Sequence, residues 1–400
     1  MPGGRKRGKN LVITSGHAPI LCVVGARPNF MKIAPLMAAL RAAPNSIPVR
    51  LLHTGQHYDA QMKDAFFTQL GIPEPDVDLG VGSASHAVQT AEIMRRFEPA
   101  LDQEKPAAVL VVGDVNSTIA CALVAAKKDV PVIHVEAGLR SYDRGMPEEI
   151  NRVLTDQISD LLFITERSAR DNLLREGIDE RRIHFVGNVM IDTLLGQLPR
   201  AVPPEQTLAR SPDPKIFLGS ASGYALLTLH RPSNVDEPQV LRRMLETLRQ
   251  VSDDLPIVFP IHPRTSARIE QAGQGALLDT PRIWRLPPLS YLEMLGLMAK
   301  ARLVLTDSGG IQEETTALGV PCITLRENTE RPITVDQGTN TVVGSNPAHI
   351  KAAVADVLAS GGKAGRIPEL WDGKASQRIK VVLLDWLARG QPRQRSAKVT

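Results

Sequence analysis

The sequence predicts an α/β protein built of two parallel-sheet domains that face each other across a cleft, and three observations carry that prediction. The chain has 400 residues, too long for a single hydrophobic core and suited to two of ordinary size. Short apolar runs rich in Val, Ile and Leu alternate with segments of helical spacing, the pattern of a parallel sheet covered on both faces. After Gly196 this alternation breaks at Pro199, Pro203, Pro204, Pro212 and Pro214 and then restarts. Proline neither propagates a helix nor sits in a central strand, so the break marks a boundary.

Taken in order, strands are expected at Leu21–Gly25, Arg50–Thr54, Ala108–Gly113, Pro131–Val135, Leu161–Thr165 and Ile183–Gly187. Helices are expected over Phe30–Arg41, Ala87–Leu101, Ser117–Ala126 and Glu148–Ile158. The second half repeats the pattern with strands at Leu226–Leu229, Ile257–Ile261, Leu303–Thr306 and Cys322–Leu325. The expected organisation is a disordered basic tail over 1–19, a first domain over 20–196, a linker region over 197–222 and a second domain over 223–370. A C-terminal helix over 371–392 is expected to cross back to the first domain, leaving a tail at 393–400.

Composition narrows the function. The chain is 43% hydrophobic and 22% charged, with no apolar run of the roughly 20 residues a bilayer span requires. Met1–Pro19 carries Arg5, Lys6, Arg7 and Lys9 but no apolar core of a secretory signal, so a cytoplasmic location is expected. Much of the +4 formal charge lies in the tails, which argues against nucleic acid as a partner. Cys22, Cys121 and Cys322 are scattered in apolar stretches and read as buried, reduced thiols.

Open parallel sheets bind ligands beyond the carboxyl ends of their strands, so the polar residues following each apolar run matter most. The first run leads into Gly25-Ala26-Arg27-Pro28 and Lys32, which places cations at the positive end of a helix, a choice explained by an anion sharing the site. The third ends at Gly113-Asp114, where Asn116 or Ser117 is a candidate helix cap. The fourth ends at Glu136, and Pro147 then opens a helix with Glu148 and Glu149. Helical neighbours point about 100° apart, so one of those two carboxylates faces any given site. In the second half, His230 follows one strand and Asp307-Ser308-Gly309-Gly310 follows another. Strand, Ser-Gly-Gly, helix leaves free N–H groups that a diphosphate can approach. Glu314 is placed to accept from ribose hydroxyls, and Arg326 and Arg331 to close over phosphates, with Arg331 preferred. No dinucleotide or Walker fingerprint is present, and the only Asp-x-Asp, Asp76-Val77-Asp78, falls in an expected Pro-bounded loop. Neither a cofactor nor a metal is expected.

In this order, Gly25-Ala26-Arg27-Pro28 with Lys32, Gly55-Gln56-His57-Tyr58-Asp59, Gly113-Asp114, His134 to Arg140, Pro147 to Arg152, His230-Arg231 and Asp307 to Glu314 resemble the non-hydrolysing UDP-N-acetylglucosamine 2-epimerases. The match runs from about Leu21 to the last helix. The resemblance implies two Rossmann-like domains of the glycosyltransferase-B type, the second binding UDP, in a homodimer that interconverts UDP-GlcNAc and UDP-ManNAc for polysaccharide biosynthesis. It places Asp114, Glu136, Glu148 and His230 on catalytic positions, Arg27 and Lys32 beside them, and Ser308, Gly309, Gly310, Glu314 and Arg331 on UDP-binding positions. It also implies a second UDP-GlcNAc bound as activator, with Gln56 and His57 in the motif used there.

Such a reaction suits these residues. No carbonyl acidifies the C2 proton of the sugar, and no nicotinamide motif is present to make one. Expelling UDP from C1 renders C2–H removable and gives a 2-acetamidoglucal, to which UDP re-adds. Proton transfer on both ring faces requires more than one carboxylate, and one buried member of the set is expected to have a raised pKa. The alternatives are a UDP-sugar glycosyltransferase of the same fold, a hydrolysing epimerase releasing ManNAc and UDP, a family relative acting on a diacetamido uronic acid, and a UDP-sugar sensor that binds without turnover, against which the acid-base set argues.

Overall fold

The computed structural model describes residues 18–55, 69–219 and 223–389. Among them, two all-parallel sheets form the framework. The first consists of β1 (Ile20–Val24), β2 (Val49–His53), β3 (Val77–Asp78), β4 (Ala108–Val112), β5 (Val132–Ala137), β6 (Leu161–Ile164) and β7 (Ile183–Phe185), in the spatial order β3-β2-β1-β4-β5-β6-β7. The second consists of β8 (Ala225–Thr228), β9 (Ile257–Pro260), β10 (Ile283–Leu286), β11 (Leu303–Thr306), β12 (Cys322–Thr324) and β13 (Asn340–Val342), in the order β10-β9-β8-β11-β12-β13. In both, chain order reverses direction beside the first strand: between β1 and β4, and between β8 and β11. Crossover loops on the two sides of such a point diverge and open a crevice.

Helices cover both sheets. In the first half they are α1 (Arg27–Arg41), α2 (His86–Glu104), α3 (Asn116–Lys127), α4 (Pro147–Ile158), α5 (Arg167–Arg175) and α6 (Val189–Gln197). The short helices α7 (Pro204–Leu208) and α8 (Pro214–Leu218) occupy the proline-rich stretch, each with Pro at its first position, where a missing N–H costs nothing. Then follow α9 (Pro232–Val235), α10 (Pro238–Asp254), α11 (Pro263–Gln271), α12 (Tyr291–Lys300), α13 (Gly309–Leu318), α14 (Pro332–Asp336), α15 (Pro347–Ser360) and α16 (Ala375–Ala388).

Three strands lie where the sequence gives no strand signal. Val77–Asp78 is an edge strand on β2 and not the loop expected. The Asp76 carboxylate accepts from Leu51 N–H at 2.7 Å and so extends a ladder only two residues long. β10 and β13 are four and three residues long and lie at the edges of their sheet, where exposure dilutes the apolar pattern. The α3 cap also differs: Val115 is its N-cap, with no side-chain cap bond, because Asn116 and Ser117 hydrogen-bond to other segments.

The two halves are tied together. α16 packs on α1 and α6, and α6 also meets α13. Asp192 of α6 accepts from Ala375 N–H at 3.0 Å and Ser376 N–H at 2.7 Å, an acid at the positive end of α16. One buried apolar cluster runs from β1 through Ile191 and Leu194 to Leu226 and Leu295. The three cysteines are buried and free, and burial pushes the Cys22 thiol up to about 12. No helix among the described residues is long and apolar enough to cross a membrane.

Candidate active site

The loop after β1 is built to receive a cation-bearing helix. Asn29 folds back so that its Oδ1 accepts from Gly25 and Ala26 N–H at 3.2 and 3.1 Å, while its Nδ2 donates to Val112 O of β4 at 2.9 Å. Gly25 is required here, since a Cβ would sit 2.0 Å from Ser117 Oγ. With the turn fixed, Lys32 points inward, buried, and pairs with Glu136. Arg27 begins α1, but its side chain lies outside the described set, as do Gln56 and His57.

At the end of β4, Gly113 has φ +67, and a Cβ there would come within 2.9 Å of Lys32 Nζ. The turn delivers Asp114 into contact with Arg152 of α4. The register of β5 on β6 shifts between Val135 and Ala137, and Glu136 takes φ +74. A non-glycine residue in this region costs about 1–3 kcal/mol and re-aims a side chain out of the strand alternation. Glu136 thereby reaches both Lys32 and Arg331 of the opposite domain. On α4 the two glutamates divide: Glu149 is buried, accepting from Ser141 and Tyr142 N–H and pairing with Arg152, whereas Glu148 lines the cleft.

The opposite wall is made by the second sheet. His230 follows β8, and its Nδ1 lies 2.9 Å from Asp307. Ser308 is the N-cap of α13 and makes no side-chain cap bond, so the first-turn N–H groups of that helix stay available to a ligand. Gly309 is needed for packing, because a Cβ would approach Glu330 Oε1 to 2.5 Å. Gly310 is not: its Cβ would make only ordinary contact with Met190 at 3.7 Å. Its lack of a side chain serves the cleft. Glu314 is buried, with Tyr291 OH donating to it at 2.9 Å.

Arg331 joins the halves. Its guanidinium contacts Glu136, and its Nε lies 3.0 Å from Glu313, which also accepts from Asn188 Nδ2 at 2.9 Å. Arg326 pairs with Glu330 at 2.9 Å. Neither arginine is a surface ion pair; both are buried. Nη1 of each has no hydrogen-bond acceptor among the described residues. Buried guanidinium donors are normally spent, so Arg331, which also lines the cleft, is suited to an incoming anion.

The electrostatics correct one expectation. Burial alone raises the pKa of Asp114, but Arg152, Lys32 and Arg331 outweigh it and hold the group well below its ordinary value. Among the carboxylates lining the cleft, the one with a raised pKa is Glu313, pushed up to about 7 by burial against the opposing pull of Arg331, with Glu136 adding repulsion. Glu330, buried among Arg331, Arg326 and Arg231, is held down at about 2. Sequence reasoning passed over Glu313, although the rule applied to Glu148 and Glu149 applies equally to Glu313 and Glu314. Asn188 lies on a strand-end loop and could have been flagged by position, though not by partner; Asp307 was visible in the Ser-Gly-Gly motif, but its contact with His230 was not.

Together these groups enclose a cleft of about 500 Å³ between the two switch points. Lys32, Asp114, Glu148, His230, Ser308, Gly309, Gly310, Glu314 and Arg331 line it, while Glu136 sits behind Lys32 and Arg331. One wall offers carboxylates beside cations and the other offers helix N–H groups and an imidazole. That pairing can neutralise a diphosphate and exchange protons with what is attached to it.

Known proteins resemble the chain over most of its length. The family model described as UDP-N-acetylglucosamine 2-epimerase matches residues 38–384. The UDP-N-acetylglucosamine 2-epimerase of Methanocaldococcus jannaschii is 42% identical over 367 residues, covering 90% of this chain and 97% of that protein. The UDP-2,3-diacetamido-2,3-dideoxy-D-glucuronate 2-epimerase of Pseudomonas aeruginosa is 43% identical over 329 residues, covering 82% and 88%. The crystal structure of the M. jannaschii UDP-GlcNAc 2-epimerase in complex with UDP-GlcNAc and UDP superposes with a TM-score of 0.81 at 40% identity, covering 92% of this chain and 99% of that one.

Proposed function

The chain belongs to the UDP-N-acetylglucosamine 2-epimerase family, and from that premise we propose that it interconverts UDP-GlcNAc and UDP-ManNAc without net hydrolysis. The observation that carries this reading is the cleft itself: Asp114 and Glu148 on one wall face His230 and the Ser308-Gly309-Gly310 turn on the other.

In this reading the α13 N–H groups and Arg331 hold the diphosphate, Arg27 and Lys32 add positive charge, and Glu314 accepts from the ribose hydroxyls. Arg331 is shared between Glu136 and Glu313 before ligand arrives. When its guanidinium turns to the phosphates, Glu136 is released towards the sugar. A carboxylate among Asp114, Glu136 and Glu148 takes the C2 proton; the C2–H electron pair forms the C1–C2 double bond, and the C1–O bond breaks with its pair leaving on UDP. His230 assists that departure. Return of a proton to the opposite face of C2, with UDP oxygen re-adding at C1, gives the epimer with atoms and charge balanced. Each positioned acid or base is worth roughly 10²- to 10⁴-fold.

The reading extends to a cytoplasmic homodimer serving polysaccharide biosynthesis, with a second UDP-GlcNAc as activator near Gln56 and His57. A second substrate is favoured by one finding: the diacetamido glucuronate epimerase relative is 43% identical. The test is incubation of the purified chain with each nucleotide sugar and NMR of the products. UDP-ManNAc formed from UDP-GlcNAc supports the proposal. Free ManNAc plus UDP indicates hydrolysis, and turnover only with an added acceptor indicates glycosyl transfer; either outcome sinks it. Epimerisation of the diacetamido uronate alone keeps the chemistry and reassigns the sugar.

A further inference from the structure

Asp307 immediately precedes the Ser-Gly-Gly turn, is fully buried, and has no part in the reaction described so far. Its carboxylate collects four donors. His230 N–H lies at 2.9 Å, Arg231 N–H at 2.8 Å, Asn234 Nδ2 at 3.2 Å and His230 Nδ1 at 2.9 Å. Burial works to raise its pKa, but the His230 ring and these backbone N–H groups outweigh burial and keep the group below its ordinary value. An ionised carboxylate only accepts hydrogen bonds, so the ring nitrogen facing it carries a proton. That nitrogen is Nδ1, and Nε2 on the far side of the ring is left to the cleft that His230 lines. The His262 ring, tilted 37° with its centroid 5.6 Å away, packs beside the imidazole.

We propose that Asp307 is a positioning residue that holds His230 through its Nδ1–H, so that Nε2–H of the imidazolium points at the cleft, gives its proton to the oxygen of the departing diphosphate and takes it back when UDP re-adds at C1. This rests on the epimerase reading for its reaction, but not for its geometry. A buried acid behind an imidazole does the same elsewhere by fixing tautomer and orientation without itself taking the proton. The plain structural alternative is that Asp307 only ties the β8–α9 turn to the end of β11 through the two backbone N–H groups.

The substitution Asp307→Asn separates the two. Asparagine keeps one oxygen for the backbone N–H groups but can turn an amide N–H towards Nδ1, which drives the ring proton to Nε2. We expect kcat to fall by about 10²-fold or more, with UDP affinity within about 3-fold. In a His230→Asn background the same change is expected to cost less than about 3-fold more, because the residue it acts through is gone. A full multiplicative loss in the double variant overturns the proposal. Independently, ring ¹⁵N shifts of the unsubstituted protein at about pH 8, where an ordinary imidazole is neutral, are expected to show Nδ1–H for His230, assigned by loss of its signals in His230→Asn. A His230 ring bare of a proton at Nδ1 overturns the proposal even if Asp307→Asn fails to fold. Absence of turnover with UDP-GlcNAc rejects the reaction instead, and leaves the ring spectrum to decide the role of Asp307.

Discussion

The two sheets share one topology at their switch points, yet their loops are furnished in opposite ways. Beyond β1, β4 and β5 buried charged groups hold one another: Lys32 pairs with Glu136, and Arg152 with both Asp114 and Glu149. Beyond β8 and β11 the main feature is unspent backbone, with Ser308 leaving the α13 N–H groups uncapped and a histidine braced from behind by Asp307. The fold supplies the crevice twice. What differs is whether side chains or main chain fill it, and in our reading that difference separates proton transfer from nucleotide binding.

Amide substitutions in the first domain put the largest strain on that separation. Glu136→Gln or Glu148→Gln is expected to lower kcat by at least about 10²-fold while UDP affinity, measured by calorimetry, moves by no more than a few-fold. A loss of UDP binding as large as the loss of turnover breaks the comparison. Next comes the residue that joins the halves. Arg331→Lys keeps the charge but loses the fork that reaches Glu136 and Glu313 together, so UDP binding is expected to weaken by about 10-fold.

How much of this was legible beforehand follows from the range of each interaction. Strands β1, β4 and β6 are wholly buried and announce themselves as continuous apolar runs; β3, with only Val77 and Asp78, has too few residues to show a period. Cleft-lining residues such as Asp114, Glu148, His230 and Ser308 were found because they follow apolar runs or open helices. The Glu136–Arg331–Glu313 bridge was not, because its partners come from both domains and the backbone of Glu136 departs from its strand. Tertiary contact made that bridge, and local pattern carries no trace of it.

A smaller effect concerns pH. Glu313 rises from 4.5 to about 7 on folding, so the folded state binds this proton more tightly. The stability it contributes is fully present below about 4.5 and is lost as pH climbs through about 7. Glu330 acts with the opposite sign: its pKa falls from 4.5 to about 2, so its contribution is present above about 4.5 and disappears on acidification towards about 2. Between about pH 5 and pH 8, the Tm of the unsubstituted chain is expected to fall relative to that of Glu313→Gln, by the equivalent of at most about 3 kcal/mol. Parallel Tm profiles for the two proteins contradict this assignment. Least of all is expected from Arg167→Ala. It removes an interdomain pair with Glu369 at 2.7 Å whose side chains are 71% and 53% exposed, so the midpoint of denaturant unfolding is expected to stay where it is.

The claim that one wall of the cleft moves protons while the other releases and recaptures UDP is tested most directly by turnover in D₂O. Epimerisation by elimination takes a proton from one face of C2 and returns another from the opposite face, through groups that exchange with solvent. The account predicts UDP-ManNAc carrying deuterium at C2, read by loss of the C2 proton signal in the NMR spectrum. Epimerised product that retains protium at C2 contradicts it.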